Sequence, residues 1–307
     1  MKENTRKTFR FFWGYVKRHK IAASAMLFGL LLGSIMGMVW VMIFREFFAI
    51  LEMGGEKAVV SAALMVTLGW IIFSEALEWI GWRIVHYVDN WLRPQVMSEI
   101  VQDCFEYMHQ HSYRFFTNNF VGSLVKKVGR IMRGFERVIG KIYWDMVPMT
   151  TKVLFILGVL TWLHPMLGAI MGAWVVVFVY IQYRLSKFKL KYDVPRAAMD
   201  SKVTAALADS ITNNSNVKLF AALKFEMKRF GRVLKRWFKA TKISWDIDAH
   251  IESGQAAFMI LLEFVILYVA IKLWERDLIV LADFFVIQAY LFELFHQLWN
   301  LRIIKKV

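Results

Sequence analysis

The sequence predicts an all-α membrane protein with six long transmembrane helices and two long intracellular helical extensions. Three observations predict this fold class. Hydrophobic residues make up 58% of the 307 residues, above the share of about 45–50% found in soluble domains. Uncharged apolar runs recur along the chain, and several continue as amphipathic helical patterns far beyond the roughly 20 residues that a bilayer requires. The Lys and Arg residues cluster in alternate connections between these runs.

The apolar runs define the spans in chain order. Residues 1–20 mix basic and aromatic side chains, which is typical of an amphipathic elbow helix on the cytoplasmic leaflet. Residues 21–44 carry no charge and are long enough to cross a bilayer at 1.5 Å per residue. Within a transmembrane region that covers residues 21–307, the further spans are predicted at about 58–74, 146–163, 166–183, 253–271 and 278–300.

Two connections between the spans are much longer than the others. After the second span, apolar residues keep a helical spacing as far as Gln110, and we expect Pro94 to kink this helix rather than end it. A helix from Ala58 to Gln110 measures on the order of 80 Å, so it must project out of the membrane. The intracellular loops are therefore predicted at about 83–145 and 184–248.

The basic residues predict the orientation. Placing the N-terminus, both long loops and the C-terminal residues on one side collects 34 of the 39 Lys and Arg residues there. The positive-inside rule assigns that side to the cytoplasm, so both termini are expected inside, in a cytoplasmic or plasma membrane. Topology explains the net charge of +15, and nucleic-acid binding is not needed to account for it.

A polar elbow interrupts the second long loop. Residues 212–216 contain three Asn and one Ser between two helical patterns. Such side chains compete with the helix for backbone hydrogen bonds, so they predict a helix end, a short turn and a new N-cap.

Two local patterns resemble the transmembrane domain of ABC exporters of the type IV, or half-transporter, family. In the first loop, Ser112-Tyr113-Arg114-Phe115-Phe116 is followed by Gly122-Ser123-Leu124; in the second, Asp209, Ile211 and Asn213 are followed by Val217-Lys218-Leu219-Phe220. The resemblance implies two coupling helices that dock on nucleotide-binding domains, at about 116–122 and 211–217. Its residues for the first are Phe116, Thr117, Asn118, Asn119, Phe120 and Gly122, and for the second Asp209, Ile211, Asn213, Asn214, Val217, Lys218 and Phe220.

The resemblance also implies partners. These are a second transmembrane subunit, in a domain-swapped homodimer or heterodimer, and an ATPase domain that carries ATP and magnesium. The chain contains no Walker A or Walker B motif and no catalytic arrangement, so we expect no catalytic site and no cofactor here. The ATPase domain is expected after residue 307 of a longer polypeptide or on a separate chain.

Charged residues inside the spans are candidate substrate-pathway residues, because a charge at the centre of a bilayer is costly. Lys152, Glu263 and Asp283 qualify; the alternative is that they pair within the bundle. The substrates implied by the family are amphipathic: drugs, lipids or peptides. A second function remains open, namely a non-transport membrane scaffold or sensor with the same fold. The single Cys and the spacing of the His residues predict no disulfide and no metal site.

Overall fold

The computed structural model describes residues 2–299, with side chains from Arg6 to Trp299. No strand occurs in this range, so the all-α class is confirmed. Residues 2–299 form ten α-helices: α1 Lys2–Val16, α2 Lys20–Met53, α3 Lys57–His109, α4 Tyr113–Asn118, α5 Val121–Gly140, α6 Val147–Leu163, α7 Pro165–Thr212, α8 Asn214–Leu219, α9 Leu223–Trp274 and α10 Leu281–Trp299. A 3₁₀ turn, Lys17–His19, joins α1 to α2, and a π-helical segment, Lys141–Met146, joins α5 to α6. The predicted end of the sixth span at residue 300, and Arg302, Lys305 and Lys306, lie outside the described residues.

Five helical segments of the described chain are long and apolar enough to cross a membrane. They are Arg6–Met53, Lys57–His109, Val121–Leu163, Pro165–Thr212 and Leu223–Trp274, and each contains one of the first five predicted spans. α10, from Leu281 to Trp299, lies within the sixth predicted span and does not belong to this group. Its polar side chains, Asp283 and Glu293 among them, lower its mean hydropathy.

The helices that carry the extensions are unbroken. α3 has 53 residues, α7 has 48 and α9 has 52. Pro94 lies inside α3 and Pro195 inside α7, and neither ends its helix. Each helix is therefore far longer than a membrane span, as the sequence predicts.

The chain divides into two compact units, and the first contains α1–α6 with most of α10. Its closest helix pair is α2 with α3, which cross at glycines. A Cβ atom on Gly81 would lie 2.6 Å from the backbone nitrogen of Gly33 and 3.0 Å from the carbonyl oxygen of Gly29. Only glycine at position 81 allows the two backbones to approach this closely.

The N-terminal helix α1 packs on the extensions of the first unit. Phe12 is buried and meets Phe135 of α5 edge to face at 5.5 Å. The Tyr15 hydroxyl donates to Asp103 of α3 at 2.9 Å. Phe9 and Trp13 stay about half exposed. We predicted a helix lying on the leaflet; in the structure one face of α1 is covered by protein, which leaves the exposed aromatic face for a membrane surface.

The second unit is built from α7, α8 and α9 with the end of α10. Polar pairs join the extensions of α7 and α9: Trp237 Nε1 donates to Asp200 at 2.5 Å, and the Ser244 hydroxyl donates to Asp193 at 2.9 Å. Lys189 forms an ion pair with Asp193 on its own helix at 3.8 Å and a second one with Asp248 of α9. The contacts between α7 and α9 hold the two long helices side by side beyond their apolar spans.

Candidate functional site

The first intracellular loop turns back at residues 110–121, here called the first elbow, which contains a single short helix, α4, between α3 and α5. α4 runs from Tyr113 to Asn118 and overlaps the first half of the range 116–122 predicted for the first coupling helix. The Asn119 amide donates to the carbonyl of Phe115 at 2.9 Å and closes the C-terminal end of α4. Asn119 and Phe120 are extended, and Gly122 already belongs to α5. Tyr113 and Phe120 are 85% and 81% exposed.

The second elbow has the same construction. α7 ends at Thr212, where the Asn213 side chain donates to the carbonyl of Asp209 at 2.9 Å. α8 follows from Asn214 to Leu219 and overlaps the range 211–217 predicted for the second coupling helix. Ala221 then turns the chain with φ of 48°.

Large apolar side chains are exposed around this elbow. Ile211, in the last turn of α7, is 65% exposed, and Leu219 and Phe220 are 77% and 75% exposed. Asp209, Asn213, Asn214, Val217 and Lys218 lie on or beside the same short helix. Both short helices lie where a long helical hairpin turns back, α3 with α5 and α7 with α9. Large apolar side chains exposed to water at such positions are typical of a protein docking surface.

Lys152 lies in an ion pair between two spans. Its ammonium group is 2.8 Å from Oε1 of Glu293, so α6 and α10 are joined inside the first unit. Both side chains are largely buried, at 17% and 24% exposure. Neutralisation by a partner is the arrangement that makes a charge tolerable within a span.

Asp283 lies in a second pair, near the other end of α10. Its Oδ1 is 2.5 Å from Nε of Arg45 on α2, and only 4% of its side chain is exposed. The Arg45 guanidinium also lies over the Trp162 ring of α6, 5.9 Å from the centroid. The guanidinium of Arg45 on α2 thus contacts both α6 and α10. Glu263, the third predicted residue, lies on α9 in the second unit.

A cleft in the second unit lies between α7 and α9 and has a volume of about 470 Å³. Phe178 and Phe258 form one part of its wall and are stacked with centroids 6.4 Å apart. Gln182 and Gln255 also line it and are 6% and 8% exposed. This volume lies within the range of about 300–1,000 Å³ that small-molecule sites occupy.

A family model for the ABC transporter transmembrane region matches residues 24–298. The chain belongs to this family. The predicted family is therefore confirmed: the chain contains the transmembrane region of an ABC transporter, and its described residues have the all-α class and the long helical extensions that the sequence predicts.

Curated relatives of this ABC transporter domain include two mitochondrial proteins. The protein named iron-sulfur clusters transporter atm1 of Aspergillus fumigatus is 21% identical over 210 residues, which cover 66% of this chain and 29% of that protein. Human iron-sulfur clusters transporter ABCB7 is 21% identical over 199 residues, covering 64% of this chain and 26% of the relative. The chain thus spans less than a third of the length of these relatives.

Among solved structures, a bacterial Atm1-family ABC exporter with ATP bound superimposes with a TM-score of 0.69. The match covers 92% of this chain and 50% of that one, at 17% sequence identity. At this identity the likeness shows the fold. The ABC exporter fold is therefore found both by sequence and by shape.

Two groups of residues in this ABC transporter domain were missed by sequence reasoning. Arg45 was counted only as a basic residue of an outer connection, although its position at the end of span one matches the depth of Asp283 at the start of span six. The sequence analysis also does not identify Gln182 and Gln255. Both are amides at the inner ends of consecutive predicted spans, and this common depth in the membrane would have predicted that they lie at the same level. Within residues 6–299, no group of three or more His, Cys, Asp or Glu side chains is placed to hold a metal ion.

Proposed function

We propose that this chain forms one half of a transmembrane export path and moves an amphipathic substrate by alternating access. An ATPase domain, on the same polypeptide or on a separate chain, drives the movement by docking on the two elbows. ATP and magnesium belong to that domain. A second copy of the chain, or a related chain, completes the path in a domain-swapped dimer.

The observation that carries this proposal is the exposure of large apolar side chains on both elbows. Tyr113, Phe120, Leu219 and Phe220 are each at least 75% exposed, and they lie where helices of about 50 residues turn back. Burying such side chains against a partner is favourable by about 1.5–3 kcal/mol for each one that becomes fully covered. A rigid helix tens of ångströms long can then carry a displacement of the partner to the membrane spans.

The orientation of the path follows from charge. The elbows belong to the loops that carry most of the Lys and Arg residues, so they face the cytoplasm or the equivalent compartment. The relatives named above are mitochondrial, so an organelle membrane is an alternative to the plasma membrane. In either case the docking surface and the basic loops lie on the same side of the membrane.

The names of the curated relatives support a second cargo class. Both are called iron-sulfur clusters transporters, so a cargo related to iron–sulfur clusters is the alternative to a drug, lipid or peptide. Uptake into inside-out proteoliposomes separates these classes when each cargo is offered with and without ATP.

Coupling through the elbows is tested with the complete transporter, this domain together with its ATPase. Phe120→Asp and Phe220→Asp each place a charge in the proposed contact. We expect transport to fall at least tenfold, which corresponds to a loss of about 1.4 kcal/mol or more of docking free energy. Membrane insertion and thermal stability should stay close to wild type, because both side chains are exposed.

Phe238→Asp is the matched control. Phe238 is 63% exposed on α9, about four turns beyond the start of that helix at Leu223, and its substitution should leave transport within about twofold of wild type. If the elbow variants retain full transport and normal coupling to ATP hydrolysis, the elbows are ordinary loops and the proposal is wrong. If the complete protein neither transports nor hydrolyses ATP, the scaffold or sensor function replaces it.

A further inference from the structure

The cleft between α7 and α9 has chemistry that neither the coupling mechanism nor the ion pairs use. Its upper wall is aromatic: Phe178 and Phe258 are stacked with an interplanar angle of 7°, and Trp174 stacks on both, at 4.8 Å and 5.2 Å. Ile181, Leu185 and Ile251 line it further along. This part of the cleft suits an extended hydrocarbon chain or another flat apolar group.

Two amides lie in the middle of the cleft without hydrogen-bond partners. The structure shows no side-chain hydrogen bond for Gln182 or Gln255 within residues 6–299, although both are more than nine-tenths buried. Neither amide is among the fully buried polar atoms that lack a partner within residues 6–299, so both amides have access to the space of the cleft. Two such amides on facing helices, each with donors and an acceptor, can therefore form hydrogen bonds with a ligand that enters it.

The far end of the cleft is polar, and Lys191 lies beside it without being part of its lining. His250 lines it, and its Nδ1 donates to the carbonyl of Asp246 at 2.5 Å, so Nε2 is the ring nitrogen available to a ligand. Lys191 lies beside Phe188, another lining residue, with its ammonium 5.9 Å from the ring centroid. Lys187 lies over Tyr183 at 4.2 Å, one turn earlier on α7.

Along its length the cleft thus offers an apolar wall, then two amide groups, then a polar end with Lys191 beside it. Gln182 lies at the end of the predicted span 166–183 and Gln255 at the start of 253–271, so the amides are at the level where a bilayer changes from acyl chains to headgroups. The positive-inside rule places this end, with the nearby lysines, on the cytoplasmic side. An amphiphile with a tail, ester groups and an anionic headgroup has the same order of chemistry.

We infer that this cleft binds an anionic phospholipid of the cytoplasmic leaflet. One acyl chain lies against Phe178 and Phe258, the ester groups bond to Gln182 and Gln255, and the phosphate is attracted by Lys191 and its basic neighbours. The second acyl chain stays in the bilayer. This inference goes beyond the transport function and does not depend on it, because lipid binding needs neither ATP nor cargo.

The experiment uses the full chain in nanodiscs of phosphatidylcholine with increasing phosphatidylglycerol, whose acyl chain carries a diazirine. After illumination, mass spectrometry maps the labelled peptides. We expect the label within residues 178–188 and 247–258, competed by unlabelled phosphatidylglycerol and not by phosphatidylcholine. Replacing both amides, Gln182→Leu with Gln255→Leu, should raise the phosphatidylglycerol concentration for half-maximal labelling about tenfold.

Gly254→Leu blocks the cleft in a protein that should still fold. Gly254 lines the cleft, and a Cβ atom there would meet no heavy atom within 4 Å. Leu is also a better helix former than Gly in the interior of α9. This variant should lower labelling of the two peptides at least tenfold while its unfolding temperature stays at or above that of wild type.

Gln288→Leu is the control for loss of an amide outside the cleft. It makes the same chemical change on α10 and should leave labelling unchanged. The inference is wrong if Gly254→Leu does not reduce labelling of the two peptides. It is also wrong if phosphatidylcholine competes as well as phosphatidylglycerol, because the cleft would then be an apolar groove without selectivity for the anionic headgroup.

Discussion

At the scale of single residues, the ion pair between Arg45 and Asp283 gives the clearest expectation for stability. The carboxylate is almost fully buried, with 4% of the side chain exposed, and the guanidinium is 19% exposed. Removing one partner of a buried pair leaves an uncompensated charge and costs about 3–5 kcal/mol. We therefore expect Arg45→Gln to lower the unfolding temperature of the detergent-purified protein by several degrees.

The matched control for this prediction is Arg276→Gln. Arg276 is exposed in the connection between α9 and α10, and its loss should change stability by no more than about 0.5 kcal/mol. The double substitution Arg45→Gln with Asp283→Asn removes both charges and should recover part of the loss. Equal stability of Arg45→Gln and wild type would show that the pair contributes nothing.

Glu99 links the N-terminal region to α3 and gives a pH-dependent prediction outside the predicted spans. Burial opposes its ionisation, but a hydrogen bond with His19 at 2.7 Å, a second from Gln95 and the charge of Arg18 hold the pKa of Glu99 below its usual value. The stability that this lowered pKa supplies is complete above the unfolded-state pKa of about 4.3 and is lost as the pH falls through the folded-state pKa.

Comparison with Glu99→Gln isolates this contribution. The difference in unfolding free energy between wild type and this variant should be constant above about pH 5 and should shrink below about pH 4. Denaturant unfolding across this range measures it. A difference that grows as the pH falls would show that the sign of the shift is wrong.

At the scale of helices, the contact between α2 and α3 predicts that two Gly→Ala substitutions on α3 change the stability of the protein in opposite directions. A Cβ atom on Gly81 would lie 2.6 Å and 2.9 Å from backbone atoms of Gly33, and backbone atoms cannot move aside as a flexible side chain can. Gly81→Ala should therefore destabilise the protein by at least 1–3 kcal/mol, the usual range for overpacking of about one methyl group.

Gly69→Ala on the same helix should have the opposite effect. A Cβ atom at Gly69 would meet no heavy atom within 4 Å, and Ala is favoured over Gly in a helix interior by about 0.8–1 kcal/mol. Thermal unfolding of both variants in one detergent checks the pair. If both substitutions shift stability in the same direction, the close approach of α2 and α3 does not control stability.

The helices also show how much of this fold the sequence predicts. Long runs with a regular period, such as α3 over Lys57–His109, are predicted to within one residue because every turn repeats the same apolar signal. The bounds of α4 and α8 differ by two to four residues from the ranges predicted for the coupling helices. Single side-chain hydrogen bonds from Asn119 and Asn213 close the ends of α4 and α7. A pattern averaged over many residues cannot locate one hydrogen bond.

At the scale of the whole molecule, the sequence likewise predicts one part of the candidate site and not the other. Their presence in the spans is visible in the sequence, since Lys152 and Asp283 are charges in apolar runs. Their partners are not, since Glu293 and Arg45 lie 141 and 238 residues away and only the packing of helices brings them together. Sequence reasoning therefore finds which residues need an explanation, and the tertiary structure supplies the partner that explains them.

The orientation of the molecule in the membrane can be tested with cysteine, because Cys104 is the only one in the chain. In a Cys104→Ser background, Lys202→Cys places a thiol on an exposed position of the extension of α7, and Arg276→Cys places one on the exposed connection between α9 and α10. The placement of 34 of the 39 Lys and Arg residues predicts that these positions face opposite sides.

A membrane-impermeant maleimide distinguishes the two positions. In intact cells or organelles we expect it to modify Arg276→Cys and to leave Lys202→Cys unmodified until the membrane is permeabilised. The Cys104→Ser parent should take up no label in either condition. Modification of Lys202→Cys from the outside would place the extensions and the exposed elbows away from the ATP-containing compartment. An ATPase domain could then not dock on them, and the mechanism proposed for this domain would fail together with the orientation.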